Sequence, residues 1–215
     1  MKLFSRILPL LLALIPLTAC SAPNAAPVQG QDYELIAQPG PFAPLAGKIE
    51  VVEVFGYTCP HCANFEPQVE AWKAKLPADV RFTPVPAAFG GYWDAYARAF
   101  YAAEQVGVLG RSHGDVFKAL HQDRSLPMQS VSPQELATFY ANYGVEPQRY
   151  IDALRSPQVD EKIKNARAFA MRVQIPGTPA MIVNGKYLIT ARSFEDTLRV
   201  ADALIARERA AGKGR

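Results

Sequence analysis

The chain has 215 residues, 49% hydrophobic and 20% charged, with a formal net charge of +3. That is apolar sequence enough for one globular body of moderate size, and the near balance of acids and bases gives no basis for a nucleic-acid partner. No internal repeat is visible.

At the N-terminus, Lys2 and Arg6 precede an apolar run over 7–17 that is too short and too interrupted by proline to be a stable membrane anchor. It reads as an export signal. Leu17-Thr18-Ala19-Cys20 resembles a bacterial lipoprotein box, in which cleavage leaves Cys20 lipidated; a signal-peptidase cut at a later alanine is the alternative. Removing residues 1–19 takes away Lys2 and Arg6 and no acid, so the formal charge falls from +3 to +1. Residues 20–31, rich in Ala, Pro and Gln, then form a flexible tether.

Ile49, Val51, Val52, Val54 and Phe55 read as a buried strand that carries a carboxylate, Glu53, in its middle. An amphipathic helix starts at Pro60, because Cys62, Phe65, Val69, Trp72 and Leu76 recur at spacings of three and four and gather on one face. Between strand and helix stands Cys59-Pro60-His61-Cys62. Cys59 falls at the helix N-terminus, where unpaired N–H groups and the helix dipole favour a thiolate. It reads as the exposed nucleophile, with Cys62 pointing inward. Pro60 suits the first helical position and stiffens the turn. A His61 ring that donates a hydrogen bond or carries charge beside Cys59 stabilises the thiolate further, which makes the disulfide more oxidising. Two cysteines so placed can pass a disulfide to another protein, the chemistry of a thiol:disulfide oxidoreductase. CxxC is otherwise half a zinc site. Cys20 is the one other cysteine and His113 and His121 stand eight residues apart, so no metal and no cofactor are expected. Pro67 removes the bond to the carbonyl of Ala63 and predicts a kinked, unbroken helix.

Past a strand over 81–86, Phe89-Gly90-Gly91 breaks the pattern, and helices are expected over 93–106, 111–122, 132–143, 147–154 and 158–173. Ser132-Pro133 with Glu135 is a helix-start signal and Gly144 a stop. Tyr96, Phe100, Tyr101, Phe139 and Tyr140 read as core, some of them lining a groove, and His113 and His121 as satisfied structural or surface histidines. Runs over 181–183 and 186–189 flank an Asn184-Gly185 hairpin turn. A helix from about Phe194 closes the chain, with Arg207, Arg209, Lys213 and Arg215 as its solvated end. Pro179, after Gly177-Thr178, removes a backbone donor beside a strand; sequence alone favours an ordinary trans loop proline.

Three segments resemble the DsbA family of bacterial periplasmic disulfide oxidases, within the thioredoxin superfamily. They are Val54-Phe55-Gly56-Tyr57-Thr58-Cys59-Pro60-His61-Cys62 with Phe65-Glu66, then Gly177-Thr178-Pro179-Ala180 leading into Val183-Asn184-Gly185-Lys186-Tyr187, and the helical stretch between. The resemblance implies an α/β thioredoxin fold with an inserted all-helical domain: first part 32–88, insertion 89–174, second part 175–215. It implies a cis Thr178-Pro179 bond against the dithiol, with the Thr178 backbone turned to a substrate strand. It implies that Glu53 exchanges a proton with Cys62, against the reading of Glu53 as an edge carboxylate meeting solvent, as Glu50 does. Glu66 matches a family position near the active site, although its residue type and place also suit a surface helix glutamate. The family often sets a lysine opposite Glu53 on the following strand; an ungapped alignment puts Pro84 there, leaving the charge of Glu53 without that partner. The implied function is donation of the Cys59–Cys62 disulfide, through a mixed disulfide at Cys59, to exported proteins with free thiols. Reoxidation falls to a quinone-linked membrane protein like DsbB. The expected form is a monomer in the periplasm, attached through lipidated Cys20. The rival readings are a disulfide reductase or isomerase, and a non-catalytic metal-binding lipoprotein on the same scaffold.

Overall fold

All seven residues of the strand Ile49–Phe55 are buried, so this segment has protein on both faces and forms the middle of the sheet. The computed structural model describes residues 26–212; the expected leader, Cys20 and the start of the tether lie outside the described residues. In chain order the elements are β1 (Tyr33–Leu35), β2 (Ile49–Phe55), α1 (Pro60–Lys73), β3 (Val80–Pro86), α2 (Tyr92–Gln105), α3 (Leu109–His121), α4 (Pro133–Ala141), α5 (Pro147–Leu154), α6 (Pro157–Arg172), β4 (Ala180–Val183), β5 (Tyr187–Ile189) and α7 (Phe194–Gly212). Sheet order is β1-β5-β4-β2-β3, with β2 and β3 parallel and the other pairs antiparallel. Five helices thus enter the chain between β3 and β4, and the strands on either side of them pair through β2. The fold is α/β, a thioredoxin sheet with an all-helical insertion.

Alternation along β2 divides the core. Val51 packs with Phe65, Val69 and Trp72 of α1 and with Val200, Leu204 and Ile205 of α7 on one face. Val52 and Val54 pack with Phe100, Phe117 and the rest of the insertion on the other. Each fully buried Val, Leu or Phe contributes roughly 1.5–3 kcal/mol. The outer strand β3 carries Pro84 and Pro86, which withhold donors from its free edge. The Asn184-Gly185 turn has positive φ at both residues, 50° and 61°, as a two-residue hairpin requires. Ser132 and Glu135 form the expected capping box, and Gly144 has φ 78° after α4.

Several expectations change. Helix α1 runs unbroken through Pro67, as expected, but ends at Lys73, so Leu76 packs on the core from the following turn, immediately before Pro77, which disfavours helical geometry there. Glu50 does not meet solvent. It is fully buried and accepts from Arg81 at 2.7 Å, Thr83 at 3.2 Å and the Phe42 amide at 2.7 Å. Within the expected tether, Pro27 is buried and the Val28 amide donates to Asp32 at 2.8 Å, so the chain is tied down from Pro27 onward although 28–31 stay exposed. Arg207 and Arg209 are paired rather than solvated: Arg207 donates to the Tyr33 hydroxyl at 2.6 Å with its guanidinium 5.1 Å from that ring, and Arg209 meets Asp79 at 2.6 Å. Lys213 and Arg215 lie outside the described residues.

Candidate active site

The C-terminal end of β2 delivers Gly56, Tyr57 and Thr58 to the start of α1, where Cys59 is the N-cap and Pro60 the first helical residue. No side chain caps this helix, so its first amides are left for the Cys59 sulfur. Both cysteines are free thiols. Cys62 is 1% exposed and its Sγ accepts from the Gly56 amide at 3.4 Å. Cys59, expected as an exposed nucleophile, is only 7% exposed, because the strand β4 approach folds over it: its Sγ lies 3.4 Å from the carbonyl oxygen of Thr178. The Thr178-Pro179 bond is cis.

The two thiols diverge in acidity. The hydrogen bond from Cys62 lowers the pKa of Cys59 from the ordinary 9.0 to about 5, against the opposing effect of burial, helped by the Thr178 side chain and the backbone amides of Cys62 and His61. That same shared hydrogen bond, with burial, pushes Cys62 far above the thiol range. His61 contributes to Cys59 through its backbone N–H. Its side chain is exposed and lines a groove of ≈500 Å³ beside Thr178, Pro179, Phe65 and Phe194.

Glu53 sits beneath α1, on the same face of β2 as Val51, and is 3% exposed. Its neighbour across β3 is Pro84, as the ungapped alignment placed it. Burial raises its pKa from 4.5 to about 8, and Glu66 and Glu70 push the same way; Lys73 opposes them. Compensation for Glu53 therefore comes from α1, from a lysine that no strand pairing pointed to. Glu66 is no surface glutamate. It is 7% exposed, its Oε1 has no partner, and its Oε2 lies 3.6 Å from His113 Nε2. Sequence reasoning read α1 by its own periodicity and could not see that α3 lands on this flank. A second groove of ≈580 Å³ opens between α1 and α3, lined by Glu66, Lys73, Pro84, Phe100, His113 and His121. The two histidines are bonded to one residue, Tyr57.

A low-pKa thiol at a helix N-terminus, beside a buried partner thiol, can attack a disulfide or leave a mixed disulfide readily. Comparison with known proteins agrees. A family model described as thioredoxin matches residues 45–203. The chain is 39% identical over 210 residues to the thiol:disulfide interchange protein DsbA of Pseudomonas aeruginosa, covering 96% of this chain and 98% of that one. It is 43% identical over 179 residues to the protein of that name from Azotobacter vinelandii, covering 82% and 79%. The crystal structure of oxidoreductase DsbA from Xylella fastidiosa superposes with TM-score 0.85 at 54% identity, over 86% of this chain and all of that one. The P. aeruginosa DsbA crystal structure gives TM-score 0.79 at 41% identity, over 86% and 95%. The chain belongs to the DsbA family of thiol:disulfide interchange proteins and is a thiol:disulfide oxidoreductase.

Proposed function

We propose that the protein works in the periplasm as a disulfide donor to exported proteins that carry free thiols. A substrate thiolate attacks the Cys59 sulfur of the oxidised Cys59–Cys62 pair. The Cys59–Cys62 bond breaks, its electron pair goes to the Cys62 sulfur, and that sulfur is protonated from Glu53. A second substrate thiolate then attacks the substrate sulfur of the mixed disulfide, and Cys59 leaves as a thiolate. Pro60 holds the turn, His61 tunes Cys59, and Thr178 with Pro179 offers the backbone against which an extended substrate segment pairs. A DsbB-like membrane protein restores the disulfide. The protein acts as a monomer built of parts 32–88 and 175–215 around the insertion 89–174, with an export signal over 1–19 and a lipid on Cys20.

The observation that carries this reading is the inequality of the pair: one sulfur at a helix N-terminus with its pKa lowered to about 5, the other buried and driven up. A thiol that is stable as an anion favours the reduced enzyme, and so favours giving the disulfide away. Cys59→Ser is expected to lose oxidase activity on reduced, unfolded protein; retention of that activity overturns the assignment. His61→Pro is expected to make the reduction potential more negative, and an unchanged potential removes His61 from the tuning role.

A further inference from the structure

Helix α3 reaches Tyr57 from two sides. His113 Nδ1 lies 2.7 Å from the Tyr57 hydroxyl, and His121 Nε2 lies 2.8 Å from the Tyr57 carbonyl oxygen. A carbonyl oxygen only accepts, so His121 carries a hydrogen on Nε2 and donates it. On His113 the opposite nitrogen faces Glu66 Oε2 at 3.6 Å, and a carboxylate oxygen also accepts. The hydrogen of a neutral His113 ring therefore belongs on Nε2, which leaves Nδ1 to accept from the Tyr57 phenol. The phenol is 2% exposed and packed edge-on to Phe55 and Phe117, where burial keeps it protonated and a donor.

His113 thus touches both walls of the dithiol turn: the loop ahead of Cys59 through Tyr57, and the helix behind Cys62 through Glu66. That turn is held closely. The Cys59 amide donates to the Gly56 carbonyl at 3.0 Å, and the Gly56 amide donates to Cys62 Sγ at 3.4 Å. Within the motif Tyr57 meets the Phe55 ring, while the groups bonded to its hydroxyl and its carbonyl both lie on α3, so that polar restraint comes from the helical insertion.

We propose that His113 and His121 are positioning residues of the thiol chemistry: they hold Tyr57 at its hydroxyl and its carbonyl, and so hold the turn 56–59 in the geometry from which Cys59 reacts. The inference rests on the functional reading above, with Cys59 as the reacting sulfur. It gives the insertion a part in setting the reactivity of the dithiol, beyond covering it.

The test is the titration of Cys59 in the reduced full-length protein, followed by the ultraviolet absorbance of the thiolate. Tyr57→Phe, which deletes one oxygen, is expected to raise the Cys59 midpoint by about one unit, a loss of thiolate that approaches tenfold at a pH below both midpoints. His113→Phe keeps an aromatic ring and is expected to do the same. The double variant is expected to shift no further than either single one, because both remove one contact. His121→Leu shifts the midpoint, and His121→Gln, which keeps a donor, restores it. Tyr150→Phe removes a buried bond to the Ala99 carbonyl elsewhere in the insertion and serves as the structural control, with lower stability and an unmoved midpoint. Should His113→Phe fail to unfold cooperatively, Tyr57→Phe carries the test. An unmoved midpoint in Tyr57→Phe, or an equal shift in Tyr150→Phe, overturns the proposal. A wild-type midpoint near that of free cysteine instead overturns the functional reading, so the two failures are told apart.

Discussion

The acidity of Cys59 has a consequence that pH alone exposes. With its pKa lowered to about 5 and that of Cys62 far above the thiol range, the reduced protein holds one thiol proton above pH 5 and two below it. Reduction of the protein by two molecules of glutathione then releases one proton above the break and none below. The sign follows: raising the pH favours the reduced protein, and the equilibrium constant climbs about tenfold per pH unit above about 5. Between pH 5 and 7 the gain is about fiftyfold, or about 2.3 kcal/mol toward the reduced form, because half of Cys59 is already ionised at pH 5. Glu53 adds no step in this window, because its pKa of about 8 keeps it protonated. The assay equilibrates the protein with glutathione buffers from about pH 4 to about pH 7.5, where the thiol of glutathione itself stays protonated. Acid quenching and alkylation then give the reduced fraction. A constant that stays flat across the whole range would show both thiols protonated, and the argument from helix start and shared hydrogen bond would fail.

Three further outcomes follow from particular contacts. In the reduced protein, Glu53 keeps its proton between pH 4.5 and about 8 where the unfolded chain loses it, so its contribution to native stability falls as pH rises, by up to about 1.4 kcal/mol per unit; denaturant melts of Glu53→Gln at both ends of that window should show the variant gaining on the wild type toward pH 8, and a constant gap refutes the buried, raised carboxylate. A Cβ at Gly56 would lie 2.1 Å from a ring carbon of Trp93, so Gly56→Ala is expected to cost about 1–3 kcal/mol and to shift tryptophan fluorescence; unchanged melts and emission contradict that packing. Ser132→Ala breaks the capping box of α4 and should cost about 1 kcal/mol in a denaturant melt, with the Cys59 titration unmoved.

Much of this molecule was legible because the relevant signals are short in range. The apolar run of β2, the helix phase of α1, the cap at Ser132 and the Asn184-Gly185 turn each arise from a few neighbouring residues whose backbone preferences and side-chain spacing act locally. The dithiol was legible for the same reason: strand, CPHC and helix are contiguous, so the placement of Cys59 at a helix N-terminus needs no distant partner. The β2–β3 pairing that sets Pro84 against Glu53 followed once the family alignment was applied.

What surrounds the dithiol depended on contacts between segments far apart in the chain. Cys59 is covered because the Thr178 carbonyl arrives 3.4 Å away from a segment on the other side of the insertion. Glu66 is buried because α3 closes on that flank of α1, and the two acids and the lysine that act on Glu53 all come from α1. Tyr57 is held by two histidines of α3 whose spacing carries no signal of its own. Local order in the sequence therefore specified the reacting sulfur and the helix that activates it. Burial and charge depend on everything within a few ångströms, whichever part of the chain supplies it, so the environment that tunes that sulfur emerged only when the insertion and the sheet were brought together.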